Sequence, residues 1–180
     1  MTEEKKFDEL VRQHLKAVYS FAYRFVGDAH EAEDIVQETF LKAWKNFGNY
    51  KAEMSQFKTW LMHIARNTAI DHLRKKKHIA FSEFTNDEGD NSFVDTLADT
   101  EELPEELLAC AEDTKVLTDA LDKLSPPSRE VLILHYTNSM TFEEIGAILG
   151  KSMNTVKSRH RRAIAVLRKN LEADKLRIDK

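Results

Sequence analysis

Along the first third of the chain, Phe7, Leu10, Val11, His14, Leu15, Val18, Ala22 and Phe25 recur at the three- and four-residue intervals of an amphipathic helix, and Gly27 closes the pattern. Asp28 with Glu31 three residues on has the spacing of a capping box, after which Val36, Phe40, Ala43, Trp44 and Phe47 line one face of a second helix. Beyond the loop GNYKAEMSQ, the set Phe57, Leu61, Ile64, Ala65 and Thr68 predicts a third helix that runs on into HLRKKK. Three helices carrying this many bulky aromatics predict a small closed core.

The periodicity vanishes from about Phe81 to Leu103, where SEFTNDEGDNSFVDTLADTEEL is acidic, turn-rich and without a continuous apolar face. Pro104 suits the first position of a helix reaching Leu124; the SPP at 125–127 punctuates, and REVLILHY begins the next helix. Thr141 with Glu144 is a second capping box, FEEIGAILG predicts a short helix ending at Gly150, and Ser152 caps a last helix running to about Leu171. The fold class predicted is all-α, with two small helical domains at 1–80 and 104–180 joined by a flexible acidic linker at 81–103.

Composition narrows the chemistry. In 180 residues, 42% hydrophobic and 32% charged, the single cysteine, Cys110, excludes an internal disulfide framework. The seven histidines show no HExxH or paired CxxC spacing, so neither a metal site nor a cofactor is expected. The five glycines form no phosphate-cradling loop and no nucleophile motif appears, so an enzyme is not expected. The longest aliphatic run, VLIL at 131–134, is far short of the roughly 20 residues of a membrane span, and MTEEKKFDEL lacks a signal-peptide core. A cytoplasmic setting without membrane insertion is expected.

Charge is strongly polarised beneath a net value of −4. Residues 1–80 hold 14 basic and 11 acidic side chains, 81–113 hold none and 12, and 114–180 hold 13 and 8. Two mildly basic ends therefore flank an acidic bridge, which implies partners that distinguish the segments.

The basic residues of KSMNTVKSRHRR, 151–162, are arranged on the last helix. Val156, Ala163, Ile164, Leu167 and Leu171 fall on one side; Asn154, Lys157, Ser158, Arg161, Ala165 and Arg168 fall on the other, with Arg162 on the margin. A short capped helix, a glycine turn and a helix with a basic N-terminal half match the helix-turn-helix, whose second helix enters the major groove. There arginine and lysine read guanine edges while Ser, Thr and the helix N-terminus take phosphate. A solvated charged face is the competing reading, and the capped frame favours DNA.

On the third helix, His63, Arg66, Asn67, Ile70, Arg74 and Lys77 share a side opposite the apolar face, near Tyr50, Phe57 and Trp60. This set either follows a phosphate backbone with aromatic stacking, or is packing with a solvated flank; the residue pattern leaves both open. On the second helix, Asp34, Gln37, Glu38 and Leu41 lie opposite the apolar face, which suits a protein contact, although the pattern alone favours an ordinary surface.

Taken in order, these segments resemble the extracytoplasmic-function (ECF) sigma factors of the bacterial sigma-70 family over nearly the whole chain. YRFVGDAHEAEDIVQETFLKAWKNF is similar to regions 2.1–2.2, FKTWLMHIARNTAIDHLRKKK to regions 2.3–2.4, and the stretch from LSPPSREVLILHY through VLRKNL to region 4. The resemblance implies a transcription initiation factor with a region 2 bundle and a region 4 helix-turn-helix. Its partners would be promoter DNA, core RNA polymerase and an anti-sigma factor. Asp34, Gln37, Glu38 and Leu41 would dock on the clamp helices of the largest polymerase subunit, and region 4 on the flap of the second-largest. Tyr50, Phe57, His63, Arg66, Asn67, Arg74 and Lys77 would serve the melted minus-ten element, with Asn67 and the loop 50–57 capturing an unstacked base. Thr155, Lys157, Ser158, Arg161 and Arg162 would read the minus-thirty-five duplex; relatives often carry an aromatic where this chain has Arg161. The alternative, a stand-alone helix-turn-helix transcriptional regulator, demands a receiver or ligand domain, for which residues 1–80 show no strand pattern.

Overall fold

The computed structural model describes residues 2–77 and 119–178, with side chains described for 2–75 and 119–170. The expected linker at 81–103 and the start of the helix expected from Pro104 lie outside those residues. Among the described residues every regular element is helical, as the apolar spacing predicts.

Helix α1 spans Glu3–Val26 and stops at Gly27, whose φ of 77° is the left-handed conformation that lets its N–H return to the Tyr23 carbonyl. Helix α2, Ala29–Asn46, starts where Asp28 Oδ1 accepts the Glu31 N–H at 2.9 Å. The Glu31 carboxylate itself lies 3.6 Å from His72 Nε2 on helix α3, Phe57–Lys77, and so ties the two helices together. A 3-10 turn at Phe47–Asn49 begins the connection between them.

The packing departs from the single apolar stripes in an informative way. Leu15 and Trp44, expected on core faces, are 46% and 44% exposed, whereas Phe21, Ile35 and Met62 are fully buried. The cause is that α1 packs on α2, on α3 and on the second helical unit, so its buried arc is wider than one stripe. Aromatic rings fill the end of the bundle: Phe7 lies 5.1 Å from Phe47, and Phe57 sits against Phe47, Tyr50 and Trp60.

The second unit contains helix α4, Pro126–Leu132, whose two prolines occupy its first turn instead of preceding it. Proline is well placed there, because the N–H it lacks would have no helical partner. The helix then widens into a π-helical turn, Ile133–Thr137, which the spacing did not indicate. Helix α5, Phe142–Leu149, opens on the expected capping box: Thr141 Oγ1 accepts from Glu144 N, and Glu144 Oε2 accepts from Thr141 N at 2.8 Å. Helix α6, Met153–Ile178, runs past the end expected near Leu171.

Between α5 and α6 the chain turns sharply. The Gly146 carbonyl accepts the N–H groups of both Gly150 and Lys151, and Gly150 adopts a φ of 62°. This double acceptance closes a Schellman-type end. A Cβ placed on Gly146 would stand 2.8 Å from the Lys151 carbonyl oxygen, so the turn folds down onto α5 only because residue 146 has no side chain.

The two units pack on one another through α3 against α5 and α1 against the π-helical turn, and their buried residues join one cluster. Polar bridges between described residues cross the junction. Arg129 Nη1 donates to the Phe25 carbonyl at the end of α1 (3.3 Å), and Asn138 Nδ2 donates to the Ala17 carbonyl (2.8 Å). The Lys58 ammonium donates to the Asn138 carbonyl, and the Arg66 guanidinium grips the Glu130 carboxylate.

Candidate nucleic-acid interface

The α6 surface is built from its first turn outward. Ser152 Oγ accepts the Thr155 N–H at 3.2 Å and shares a 2.9 Å hydrogen bond with Thr155 Oγ1, so the Thr155 hydroxyl takes part in the cap. Val156, Ala163, Ile164 and Leu167 are buried. That anchoring turns Lys157, Ser158, Arg161 and Arg162 to the opposite, half-buried side, where Arg162 Nε donates to the Ser158 carbonyl at 3.3 Å.

Two members of the basic run point inward instead. Arg159 and His160 are 3% and 1% exposed. His160 Nε2 shares a 2.9 Å hydrogen bond with the Tyr136 hydroxyl, and its ring packs 5.1 Å from Phe142 and 5.3 Å from His135. His135 in turn stacks on Phe142, and its Nδ1–H donates to the Met140 carbonyl at 2.8 Å. Burial, and secondarily His135, pushes the His160 pKa down to about 4, so the ring is neutral at neutral pH. Counting charges along the sequence cannot find these two residues, because adjacent positions on a helix differ by about 100° in direction.

On α3 the residues expected to share one face are divided. His63 and Asn67 are exposed and adjacent, with 3.5 Å between His63 Nε2 and Asn67 Nδ2. Arg66 Nη1 donates to Asn67 Oδ1 at 3.3 Å, which orients the amide, but the rest of its guanidinium is turned into Glu130. Ile70, placed by pattern on the polar side, is buried. Both departures follow from the second unit covering the stripe that carries Lys58, Met62, Arg66 and Ile70 at successive four-residue intervals. Arg74 is exposed and pairs with Asp71 at 3.3 Å; the Lys77 side chain lies outside the described residues.

The aromatic candidates also separate. Phe57 is only 8% exposed and surrounded by His14, Phe47, Tyr50 and Trp60, so it floors the loop and has no free face for a base. Tyr50 is half-buried above it, and its hydroxyl donates to the Ser55 carbonyl at 3.0 Å, which pins the 50–56 loop closed on itself.

On α2, Asp34 and Gln37 are exposed, Leu41 is 53% exposed, and Glu38 pairs with Lys42 at 2.8 Å. The Lys42 hydrogen bond is the main cause holding the Glu38 carboxyl below its ordinary pKa. Exposed Trp44 extends this patch beyond Leu41, a member the pattern missed by assigning it wholly to the core. Beside it, Leu15, Lys16, Tyr19, Glu33, Val36 and Gln37 line an open groove of about 460 Å³ between α1 and α2. Among the described residues no helix is long and apolar enough to cross a membrane, and no group of three or more His, Cys, Asp or Glu is placed to hold a metal.

Comparison with known proteins matches both units in order. Residues 10–79 match the model of sigma-70 region 2 and residues 120–169 that of sigma-70 region 4. The chain is 34% identical over 171 residues to the ECF RNA polymerase sigma factor SigW of Bacillus subtilis, covering 94% of this chain and 90% of that protein. It is 30% identical over 169 residues to the ECF RNA polymerase sigma factor SigX of the same organism, covering 94% and 85%. Among solved structures, the sigma factor RpoE in complex with the anti-sigma factor NepR from Bartonella quintana superposes with a TM-score of 0.70 at 30% identity, over 94% of this chain and 99% of that one. CnrH in complex with the cytosolic domain of CnrY gives a TM-score of 0.70 at 26% identity, over 96% and 91%.

Proposed function

The chain belongs to the ECF RNA polymerase sigma factors of the sigma-70 family; it is a transcription initiation factor that directs polymerase to promoters, and we propose how its residues divide that work. The observation that carries the assignment is the presence of both family regions, in order, at 10–79 and 120–169 of one chain whose match to SigW covers 94% of its length. A stand-alone helix-turn-helix regulator accounts for the second region only.

The division of labour runs from 1–80 as region 2, through the linker at 81–103, to 104–180 as region 4. Lys157, Ser158, Arg161 and Arg162 read the minus-thirty-five duplex from α6, while the capped N-terminus at Thr155 takes phosphate. His63 and Asn67 hold an unstacked minus-ten base beside the Tyr50 loop, and Arg66, Arg74 and Lys77 follow the backbone. Because region 2 binds the separated minus-ten strand and not its duplex, it shifts the opening equilibrium toward the melted promoter. Asp34, Gln37, Glu38, Leu41 and Trp44 dock on the clamp helices of the largest polymerase subunit, and region 4 meets the flap of the second-largest. The bond chemistry then belongs to polymerase, the chain is not itself an enzyme, and it works in the cytoplasm. An anti-sigma factor covering both regions is its regulator, in line with the complexes formed by the two structural relatives.

Run-off transcription from double-stranded promoters of the source genome tests the assignment. Specific starts are expected only with core polymerase and this chain together; no specific start from any promoter defeats it. Arg161→Ala is expected to weaken minus-thirty-five discrimination roughly tenfold, as loss of a bidentate base contact does. An equal loss on every sequence would reduce Arg161 to a phosphate clamp. Leu41→Ala combined with Glu38→Ala is expected to weaken core binding at least tenfold with helical content unchanged, since exposed apolar anchors dominate such contacts. Unchanged affinity by fluorescence anisotropy would remove α2 from the polymerase interface.

A further inference from the structure

The Glu130 carboxylate is fully buried, whereas the unit's other described acidic residues, Asp119, Asp122, Glu143 and Glu144, are exposed or half-buried. Its partner comes from the other unit: Arg66 Nε and Nη2 both donate to it, the second at 3.3 Å, and the Arg66 side chain is only 11% exposed. A second cation, buried Arg159 of α6, acts on the same carboxylate. One anion is thus held between an arginine of the minus-ten helix and an arginine of the recognition helix.

A carboxylate and a phosphate present the same recognition chemistry to a guanidinium, two oxygens facing two parallel N–H groups. We propose that Glu130 occupies, within the folded chain, the place of a promoter phosphate on Arg66, and so latches the two units in a closed state that single-stranded DNA must open. This inference rests on the assignment of α3 to the minus-ten strand. The remaining bridges are suited to a latch because they are polar: Lys58 to the Asn138 carbonyl, Asn138 to the Ala17 carbonyl, and Arg129 to the Phe25 carbonyl can each be exchanged for water.

The energetics favour a latch over a permanent weld. Burying both charges costs nearly as much as their attraction returns, so separation of the intact pair into water is close to balanced. Loss of one member within the closed state is different, because it strands an uncompensated buried charge. Polymerase or DNA that prefers the open state therefore needs only a modest difference in affinity to shift the population. Opening also frees Arg66 beside Asn67, whose amide it already orients.

The test uses the full chain with Cys110→Ser and a fluorophore pair at Glu53→Cys and Lys169→Cys, both exposed positions, one in each unit. The otherwise wild-type chain should show one short distance, Glu130→Ala a longer and broader one, and Arg66→Glu the same opening. Arg66→Lys, which keeps a cation opposite Glu130, should retain the short distance, with circular dichroism unchanged throughout. In parallel, fluorescein-labelled random-sequence single-stranded DNA at low salt should bind Glu130→Ala at least tenfold more tightly than wild type, because the Arg66 contact is to phosphate and independent of sequence. A short distance in Glu130→Ala or in Arg66→Glu overturns the latch. Opening with unchanged single-strand affinity overturns the competition with DNA. Distances that behave as expected in a chain that binds no single strand and yields no minus-ten crosslink in holoenzyme sustain the latch and remove α3 from the minus-ten strand.

Discussion

Acidification from about pH 7 to pH 4 is expected to cost region 4 about 3 kcal/mol through His160 alone, given a ring held near 4 when folded against about 6.5 when unfolded. The sign follows from proton counts. Between those values the unfolded chain binds a proton that the folded chain refuses, so stability is full above the unfolded pKa and falls steadily as pH drops toward the folded one. The physical cause is the closed aromatic cage of Tyr136, His135 and Phe142, which offers the ring a hydroxyl but little water. Glu130 works in the opposite direction, because burial raises its carboxyl pKa while Arg66 and Arg159 draw it back. The measurement must therefore isolate the histidine. Urea unfolding midpoints should be followed against pH for the wild type and for His160→Gln, whose amide can still bond Tyr136. The wild type should lose its advantage over the variant as pH falls; parallel curves would mean that His160 is not held neutral in the fold.

Gly146→Val is expected to destabilise region 4 by about 3 kcal/mol, the upper part of the usual cost of overpacking. Helix propensity alone predicts the reverse, since glycine inside a helix is worse than most residues by up to about 1 kcal/mol. The sign is decided by the 2.8 Å between a Cβ at 146 and the Lys151 carbonyl oxygen, a backbone atom that cannot rotate aside. That carbonyl belongs to the turn whose N–H groups both return to Gly146, so relief of the clash loosens the link between α5 and α6. Minus-thirty-five recognition should suffer with stability, because the aim of α6 depends on that turn. Thermal unfolding reads the effect, with Gly146→Ala expected between wild type and valine. A valine variant as stable as wild type would show that the turn has slack.

The helices themselves were legible from spacing and caps: Gly27, Asp28, Thr141, Gly150 and Ser152 stand at helix ends in the fold as well. Membership of the sigma family was legible because its two regions leave long, ordered motifs. What spacing could not reveal was anything set by contact between units. Arg66 and Ile70 read as one polar side of α3, and only the neighbouring second unit, with Glu130 of α4 holding Arg66, explains why they are covered. Phe57 read equally as core or stacking platform until four rings were found around it. Gly146 looked like an ordinary helical position, since the carbonyl that excludes a side chain there arrives from five residues later. Arg159 and His160 count toward the basic run, but the pattern placed them on neither face of the helix: a net charge has no direction, and helical rotation does.

The Arg66–Glu130 pair also sets how this sequence can drift over generations. Position 130 lies 64 residues from position 66, in a different region of the chain. Within the closed state, replacement of either alone removes the partner of a buried charge, at a cost of up to roughly 3–5 kcal/mol, although Arg159 still draws on Glu130 when Arg66 is the one lost. Variation at the two sites is therefore expected to be coupled, because a change at one alone passes through a chain that is folded but no longer held closed. A residue of α3 is in this way held in place by heredity at a position that region 2 does not contain.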